Sequence, residues 1–185
     1  MFLHGLKWIV QHYPDTHVYV AGNRCKYRRY TGLKKKIMDR APDYDWYVQG
    51  LIEKFGLKDH ITFMGFLDEE QMHERLLRSH VFVSASAIEN HSTALGEAMI
   101  SGVPSVASCV GGLQEMIDHG KDGFLYPFNE TYMMADYVCQ IFGSDELAKT
   151  ISQKGHAHAA RTYSKEQNRK DLLNMYETIH HNFNR

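Results

Sequence analysis

Two glutamates, Glu89 and Glu97, are the residues whose type and spacing first suggest chemistry. They bracket the point where a short apolar run, 80–83, leads through a small-residue loop into a helix predicted over 92–101. At a helix start the backbone N–H groups lack intrahelical acceptors, and the helix dipole favours an anion such as phosphate. A carboxylate would repel a phosphate but accepts hydrogen bonds from paired hydroxyls. These groups together predict a ligand that carries both a phosphate and a sugar.

Four residues that follow Glu89 are predicted to bind this ligand, namely Asn90, His91, Ser92 and Thr93. The free backbone N–H groups of His91, Ser92 and Thr93 are expected to point toward it. Glu97 lies about one and a half turns into the predicted helix, and helical side chains lean toward the N-terminus. Its carboxylate is therefore expected to reach the same cleft. In an open α/β sheet such a cleft lies beyond the carboxyl ends of the strands.

The elements that must position this cleft alternate between strand and helix patterns. Short apolar runs predict strands over 16–22, 60–65, 80–83, 103–108 and 124–126. Helical spacing predicts helices over 6–13, 44–55, 68–77, 92–101, 130–142, 144–162 and 164–182, and a further helix that follows the Gly111-Gly112 turn and ends near His119. This alternation predicts an α/β fold, a Rossmann-like parallel sheet with helices on both faces, in a single domain over 1–185.

One ordered set of residues resembles the carboxyl-terminal half of a retaining glycosyltransferase of the GT-B type, family 4. The set is Gly65, Glu89, Glu97, Gly102-x-Pro104, Gly111-Gly112 and Gly123. The resemblance runs from about Leu6 to Tyr176. It implies a donor-binding half that transfers a hexose-type sugar to a saccharide or lipid-linked acceptor, as in polysaccharide biosynthesis. The donor would be a nucleotide-sugar such as a UDP- or GDP-sugar, with no separate cofactor.

The resemblance also implies roles for individual residues. Glu97 would bind the ribose diol of the donor. Glu89 would be the catalytic residue, lying near the transferred sugar, where it orients a hydroxyl or stabilises charge at the anomeric carbon. Gly65 and Phe66 would follow a strand whose end holds the nucleotide base.

Three further glycines, Gly22, Gly111 and Gly112, have two interpretations that the sequence leaves open. They leave room for the diphosphate to approach the backbone, or they simply form tight turns.

The amino-terminal end departs from the family pattern. Compared with the family pattern, we expect the first strand of the Rossmann-like half to be missing, and His4 stands where the family has a lysine. Lys7 and Arg24 are the available substitutes for the positive groups that stabilise the leaving diphosphate. One hypothesis is an enzyme half, inactive in transfer alone, whose helix 164–182 crosses to a missing amino-terminal GT-B domain. The alternative is a non-catalytic nucleotide-sugar-binding module or partner subunit.

Composition narrows the class of protein. With 185 residues and a net charge of −1, the chain lacks the excess of positive charge that is typical of nucleic-acid-binding proteins. Its three cysteines lack metal-ligand spacing and predict reduced thiols in a cytoplasmic protein. No signal peptide or membrane-spanning run is evident, and peripheral contact with the inner face of the membrane stays open. The basic segment 23–43 is either a solvated insertion or a patch for anionic groups.

Neither a metal site nor a dinucleotide site is expected. His156-x-His158 and His180-His181 are interpreted as solvated histidines on helices, because no carboxylate or cysteine lies at ligand spacing. No G-x-G-x-x-G sequence follows a strand, which argues against a nicotinamide dehydrogenase.

Overall fold

A computed structural model describes residues 2–22 and 44–183 of the chain. They belong to two compact units that divide between Met72 and His73. Each unit is described by itself, and a single domain over 1–185 remains a prediction. The basic segment 23–43, with Arg24, lies outside the described residues, so both interpretations of it stay open.

The first unit is built on two parallel strands. Strand β1 (Val18–Ala21) pairs with β2 (Ile61–Gly65), and Val18 lies opposite Ile61. The other elements of this unit are α1 (Phe2–His12), α2 (Tyr44–Phe55) and a short 3₁₀ turn (Lys58–His60). Its buried core includes Leu6, Ile9, Ile52 and Leu57. Helix α3 (Glu69–Leu77) follows β2 and continues past Met72.

The second unit contains a three-stranded parallel sheet in the order β3-β4-β5. Its strands are β3 (Phe82–Ser84), β4 (Ser105–Ser108) and β5 (Phe124–Tyr126). Its helices are α4 (Thr93–Ile100), α5 (Leu113–Met116), α6 (Thr131–Gly143), α7 (Asp145–Thr162) and α8 (Lys165–Phe183). Parallel strands joined through helices confirm the predicted α/β Rossmann-like class.

Helix α4 packs closely on β4 and α7 because its inner face is apolar or small. Leu95, Gly96, Ala98 and Met99 are buried on this face. All four residues of β4 are buried as well. Burying each large apolar side chain contributes about 1.5–3 kcal/mol, so this layer stabilises the second unit and holds α4 in place.

One predicted helix is wrong in length. The helix after the Gly111-Gly112 turn is predicted to end near His119, but α5 covers only Leu113–Met116. Ile117 is extended, with φ −130° and ψ 124°. The backbone N–H of Asp118 donates to the Asp122 carboxylate at 2.8 Å instead of to a helical carbonyl. A side chain four residues ahead therefore competes with the helix and ends it.

The buried phenol of Tyr126 provides a pH-dependence prediction. Burial raises the pKa of Tyr126 to about 12. The folded chain therefore holds a proton that the unfolded chain loses above about pH 10. We expect the stability from this group to be intact below about pH 10 and to be lost as pH rises toward 12. Urea unfolding across this pH range measures it, and a Tyr126→Phe variant should show a smaller decline. An equal decline in both proteins would contradict the assignment.

Candidate functional site

The loop that follows β3 is fixed over the carboxyl ends of the neighbouring strands. Ser108, the last residue of β4, donates its hydroxyl to the Ser86 carbonyl at 2.7 Å. Tyr126, the last residue of β5, donates to the Ser84 carbonyl at 3.4 Å. The first contact holds the loop, and the second holds the end of β3 from which the loop leaves, at the edge of the sheet where the sequence predicts ligand binding.

The Glu89–Asn90 backbone lies directly against the turn at Gly111 and Gly112. A Cβ on Gly111 would overlap the Glu89 carbonyl oxygen, and a Cβ on Gly112 would overlap that of Asn90. Gly111 also has φ +49°, in the left-handed region that favours glycine. Backbone packing and turn geometry thus account for both glycines. Room for a diphosphate beside them stays a prediction.

Ser92 caps α4, as the predicted helix start requires. Its hydroxyl accepts a hydrogen bond from the Leu95 N–H at 3.2 Å, and its backbone is extended. The preceding His91 and the following Thr93 are exposed to solvent. N–H groups in this first turn have no intrahelical acceptor, so an anion in solution can approach them.

The two glutamates differ in their surroundings. Glu89 is half-buried, and its carboxylate accepts a hydrogen bond from the Ser86 hydroxyl at 3.4 Å. Glu97 is exposed on α4. Convergence of the two carboxylates on one ligand remains a prediction.

A cavity of about 570 Å³ lies next to this loop. It brings together four residues of the predicted site: Asn90, His91, Gly111 and Gly112. Neither Glu89 nor Glu97 lines this cavity. The rest of the wall comes from α4, α5 and the end of α7, namely Met99, Glu115, Met116, His158, Ala159, Thr162 and Tyr163.

The side chains from α7 and its C-cap include two polar contacts that sequence reasoning missed. His158 was interpreted as solvated, which is wrong: its Nδ1 lies 2.7 Å from a carboxylate oxygen of the buried Asp122. The Tyr163 hydroxyl lies 3.1 Å from Nε2 of His91. These pairs are 36 and 72 residues apart, and no local spacing signals contacts at such separations.

The other predicted site residues belong to the first unit. Gly22 donates its N–H to the Gly65 carbonyl at 2.8 Å, at the carboxyl ends of β1 and β2. Both have positive φ, +110° and +71°, and a Cβ on either would meet open space. Phe66 is 78% exposed, so its ring is accessible to a base. The role of these three residues in holding a nucleotide stays a prediction.

Two further observations concern metals and membranes. Within residues 2–22 and 44–183, no three histidine, cysteine or acidic side chains are grouped so that they could hold a metal ion. Among the helices in these ranges, none has both the length and the apolar character needed to cross a bilayer.

Comparison with known proteins gives a family and a fold. N-acetyl-alpha-D-glucosaminyl L-malate synthase of Bacillus anthracis is 26% identical over 148 residues, which are 80% of this chain and 37% of that protein. The chain therefore spans well under half the length of this relative.

Among solved structures, sucrose-phosphate synthase from Thermosynechococcus elongatus superposes with a TM-score of 0.74 at 22% identity, covering 96% of this chain and 42% of the other. Anabaena HepE in complex with UDP superposes with a TM-score of 0.70 at 18% identity, covering 95% and 53%. Both share the fold of this chain. Residues 4–158 match the family described as glycosyl transferases group 1. The chain therefore belongs to the group 1 glycosyl transferases.

Proposed function

We propose that this chain is the donor-binding half of a retaining glycosyltransferase. It binds a nucleotide-diphospho-sugar, such as a UDP- or GDP-sugar, at the carboxyl edge of the β3-β4-β5 sheet. A hexose-type sugar passes to a saccharide or lipid-linked acceptor in the cytoplasm, as part of polysaccharide biosynthesis. The observation that carries the proposal is the exposed, Ser92-capped start of α4 at this edge, with an acidic side chain on each side of it.

The start of α4 supports binding of the donor diphosphate. Helix N-termini favour anions through their unpaired N–H groups and their dipole. The loop before α4 is held by Ser108 and by the Gly111-Gly112 turn, so its amides are fixed before the ligand arrives. A preorganised site binds more tightly because less ordering is needed on association. The UDP complex of HepE supports the same ligand chemistry.

The two glutamates take different parts in this proposal. The exposed Glu97 accepts hydrogen bonds from the two ribose hydroxyls. Glu89, held by the Ser86 hydroxyl, orients a hydroxyl of the transferred sugar or stabilises charge at its anomeric carbon. Glu89 is not assigned as a nucleophile: a double displacement needs two carboxylates about 5 Å apart on either side of the bond. The leaving phosphate itself assists the retaining transfer.

Helix α8 supports docking to an amino-terminal GT-B domain. None of its described residues is buried, although four apolar side chains recur at helical spacing: Leu172, Tyr176, Ile179 and Phe183. Such a stripe is typical of a helix that packs on another surface. We infer that α8 crosses to that domain, and that this chain alone binds the donor without transferring sugar.

The surroundings of Lys7 favour the alternative of a non-catalytic nucleotide-sugar-binding module. Its ammonium lies 5.3 Å from the centre of the Phe55 ring, and the His4 ring packs on the same ring at 4.9 Å. A cation that rests on an aromatic ring is less available to a departing diphosphate. Joining the amino-terminal half and measuring sugar release separates the two hypotheses. Transfer that Glu89→Gln abolishes supports the enzyme, and donor binding without turnover supports the module.

The proposal predicts the effect of changing Glu97. Glu97→Gln should weaken nucleotide binding about 10-fold, because a neutral amide accepts weaker hydrogen bonds than a carboxylate. Calorimetric titration of the 185-residue chain with UDP, GDP and ADP measures the change. Glu146→Gln, an exposed glutamate at the start of α7, is the matched control and should leave binding unaltered. Equal affinities for the unchanged chain and Glu97→Gln would refute the assigned role.

A further inference from the structure

We propose that Tyr163 is a positioning residue for the donor-binding segment 91–93, acting through its hydrogen bond to His91. The inference rests on the proposed function, because that proposal assigns donor binding to segment 91–93. Tyr163 itself lies outside the predicted site. Tyr163 follows α7 as its C-cap residue and immediately precedes the Ser164-led start of α8. It therefore lies 72 residues from the histidine that it contacts.

The contact has the geometry of a specific interaction. The Tyr163 hydroxyl and His91 Nε2 lie 3.1 Å apart. The two ring centres are 6.0 Å apart with planes inclined by 69°, an edge-to-face arrangement. His91 is exposed, so burial does little to orient its side chain. The hydrogen bond from Tyr163 therefore determines where the imidazole lies.

The Tyr163 ring itself has little freedom to move. It lies so close to α4 that a Cβ added to Gly96 would come within 2.7 Å of the hydroxyl and 2.9 Å of two ring carbons. The ring also packs against the buried apolar cluster that includes Leu95 and Met99. Packing against α4 thus fixes the Tyr163 hydroxyl. The hydrogen bond of this hydroxyl in turn fixes His91, which leads into α4.

Contacts near the other end of α4 keep α7 in register. The Ser152 hydroxyl donates to the Gly102 carbonyl at 2.6 Å, and His156 Nδ1 lies 2.6 Å from the Ile100 carbonyl. Together with the contacts of Tyr163, these hydrogen bonds hold α7 along the length of α4. A side chain fixed at the end of α7 can help to hold the loop within about 0.5 Å of the geometry that a binding site requires.

The chemistry of the hydroxyl suits this task. Burial raises the pKa of Tyr163, so the phenol keeps its proton at neutral pH. A hydroxyl donates to a neutral imidazole nitrogen and accepts from a protonated one, so the hydrogen bond survives a change in the charge of His91. A phenylalanine in place of Tyr163 would keep the ring packing but could neither donate a hydrogen bond to His91 nor accept one from it.

A double-mutant cycle with UDP as the probe tests the inference. Tyr163→Phe should weaken UDP binding about 3- to 10-fold, the value of one hydrogen bond. His91→Ala should have a similar effect, and the double variant should lose no more than either single variant. His91→Gln, whose amide can still reach the hydroxyl, should recover most of the affinity. Tyr132→Phe, an exposed tyrosine on α6, is the control and should bind UDP normally.

The outcomes separate failure of this inference from failure of the proposed function. If the unchanged chain binds UDP but Tyr163→Phe binds equally well, or if the two effects simply add, the inference is overturned. A lower melting temperature with unaltered affinity would also overturn it. If the unchanged chain binds none of UDP, GDP and ADP, the proposed function fails. NMR tests the hydrogen bond between Tyr163 and His91 directly. Tyr163→Phe should shift the signals of the His91 ring nitrogens and of the backbone amides of 91–93, and unchanged signals would refute the inference.

Discussion

Gly111→Ala is expected to lower the free energy of unfolding by about 2–5 kcal/mol and to abolish detectable nucleotide binding. Alanine at φ +49° has a strained backbone, and its methyl group would overlap the Glu89 carbonyl oxygen. The nearby atoms, which belong to Glu89 and Asn90, are backbone atoms, so they cannot rotate away as a flexible side chain would. The Glu89–Asn90 loop must move, and the amides that lead into α4 move with it. Urea unfolding and UDP titration measure the two effects.

Two matched glycines separate the causes of this effect. Gly120 has φ +76° but open space around its Cβ position, so Gly120→Ala should cost only the backbone strain of about 1–2 kcal/mol. Gly112 has φ −73°, so Gly112→Ala isolates the overlap with the Asn90 carbonyl. Equal losses for Gly111→Ala and Gly120→Ala would show that the loop does not rest against the turn.

Asp122→Ala is expected to lower the free energy of unfolding by about 2–4 kcal/mol, because it removes two hydrogen bonds made by a buried carboxylate. One oxygen accepts from the Asp118 N–H at 2.8 Å and the other from His158 at 2.7 Å. A carboxylate only accepts, so Nδ1 of His158 carries the proton in this pair. Loss of both bonds frees α7 from the turn before β5. Asp122→Asn, which can still accept from Asp118, should cost less.

Asp118→Ala is the control for this second prediction. The Asp118 side chain is 66% exposed and forms an ion pair with Lys121 at 3.7 Å, so its removal should cost less than about 1 kcal/mol. The variant keeps the backbone N–H that donates to Asp122. Denaturant midpoints for the four proteins rank the effects. If Asp118→Ala proved as damaging as Asp122→Ala, surface charge rather than the buried carboxylate would hold this turn.

The element pattern of the described chain could be predicted because its signals are local. Apolar runs indicate the strands, and Ser92, Ser164 and Asp68 accept hydrogen bonds from backbone N–H groups at the starts of their helices, a role that serine and aspartate commonly take. The helix after the Gly111-Gly112 turn is predicted too long, because the hydrogen bond from the Asp118 N–H to the Asp122 carboxylate produces no periodic pattern in the sequence.

The sequence alone determined the family resemblance, the strand–helix order and the candidate residues around the start of α4, because these depend on neighbouring residues. Tertiary structure decided which distant groups meet there. It places the Glu89–Asn90 backbone on two glycines, pairs His158 with Asp122 and brings Tyr163 to His91. The first contact joins the loops that follow β3 and β4, and the other two arise from the packing of α7 and its C-cap against α4 and the turn before β5. Tertiary packing depends on which surfaces fit together in three dimensions, and the spacing of residues along the chain does not reveal which surfaces meet.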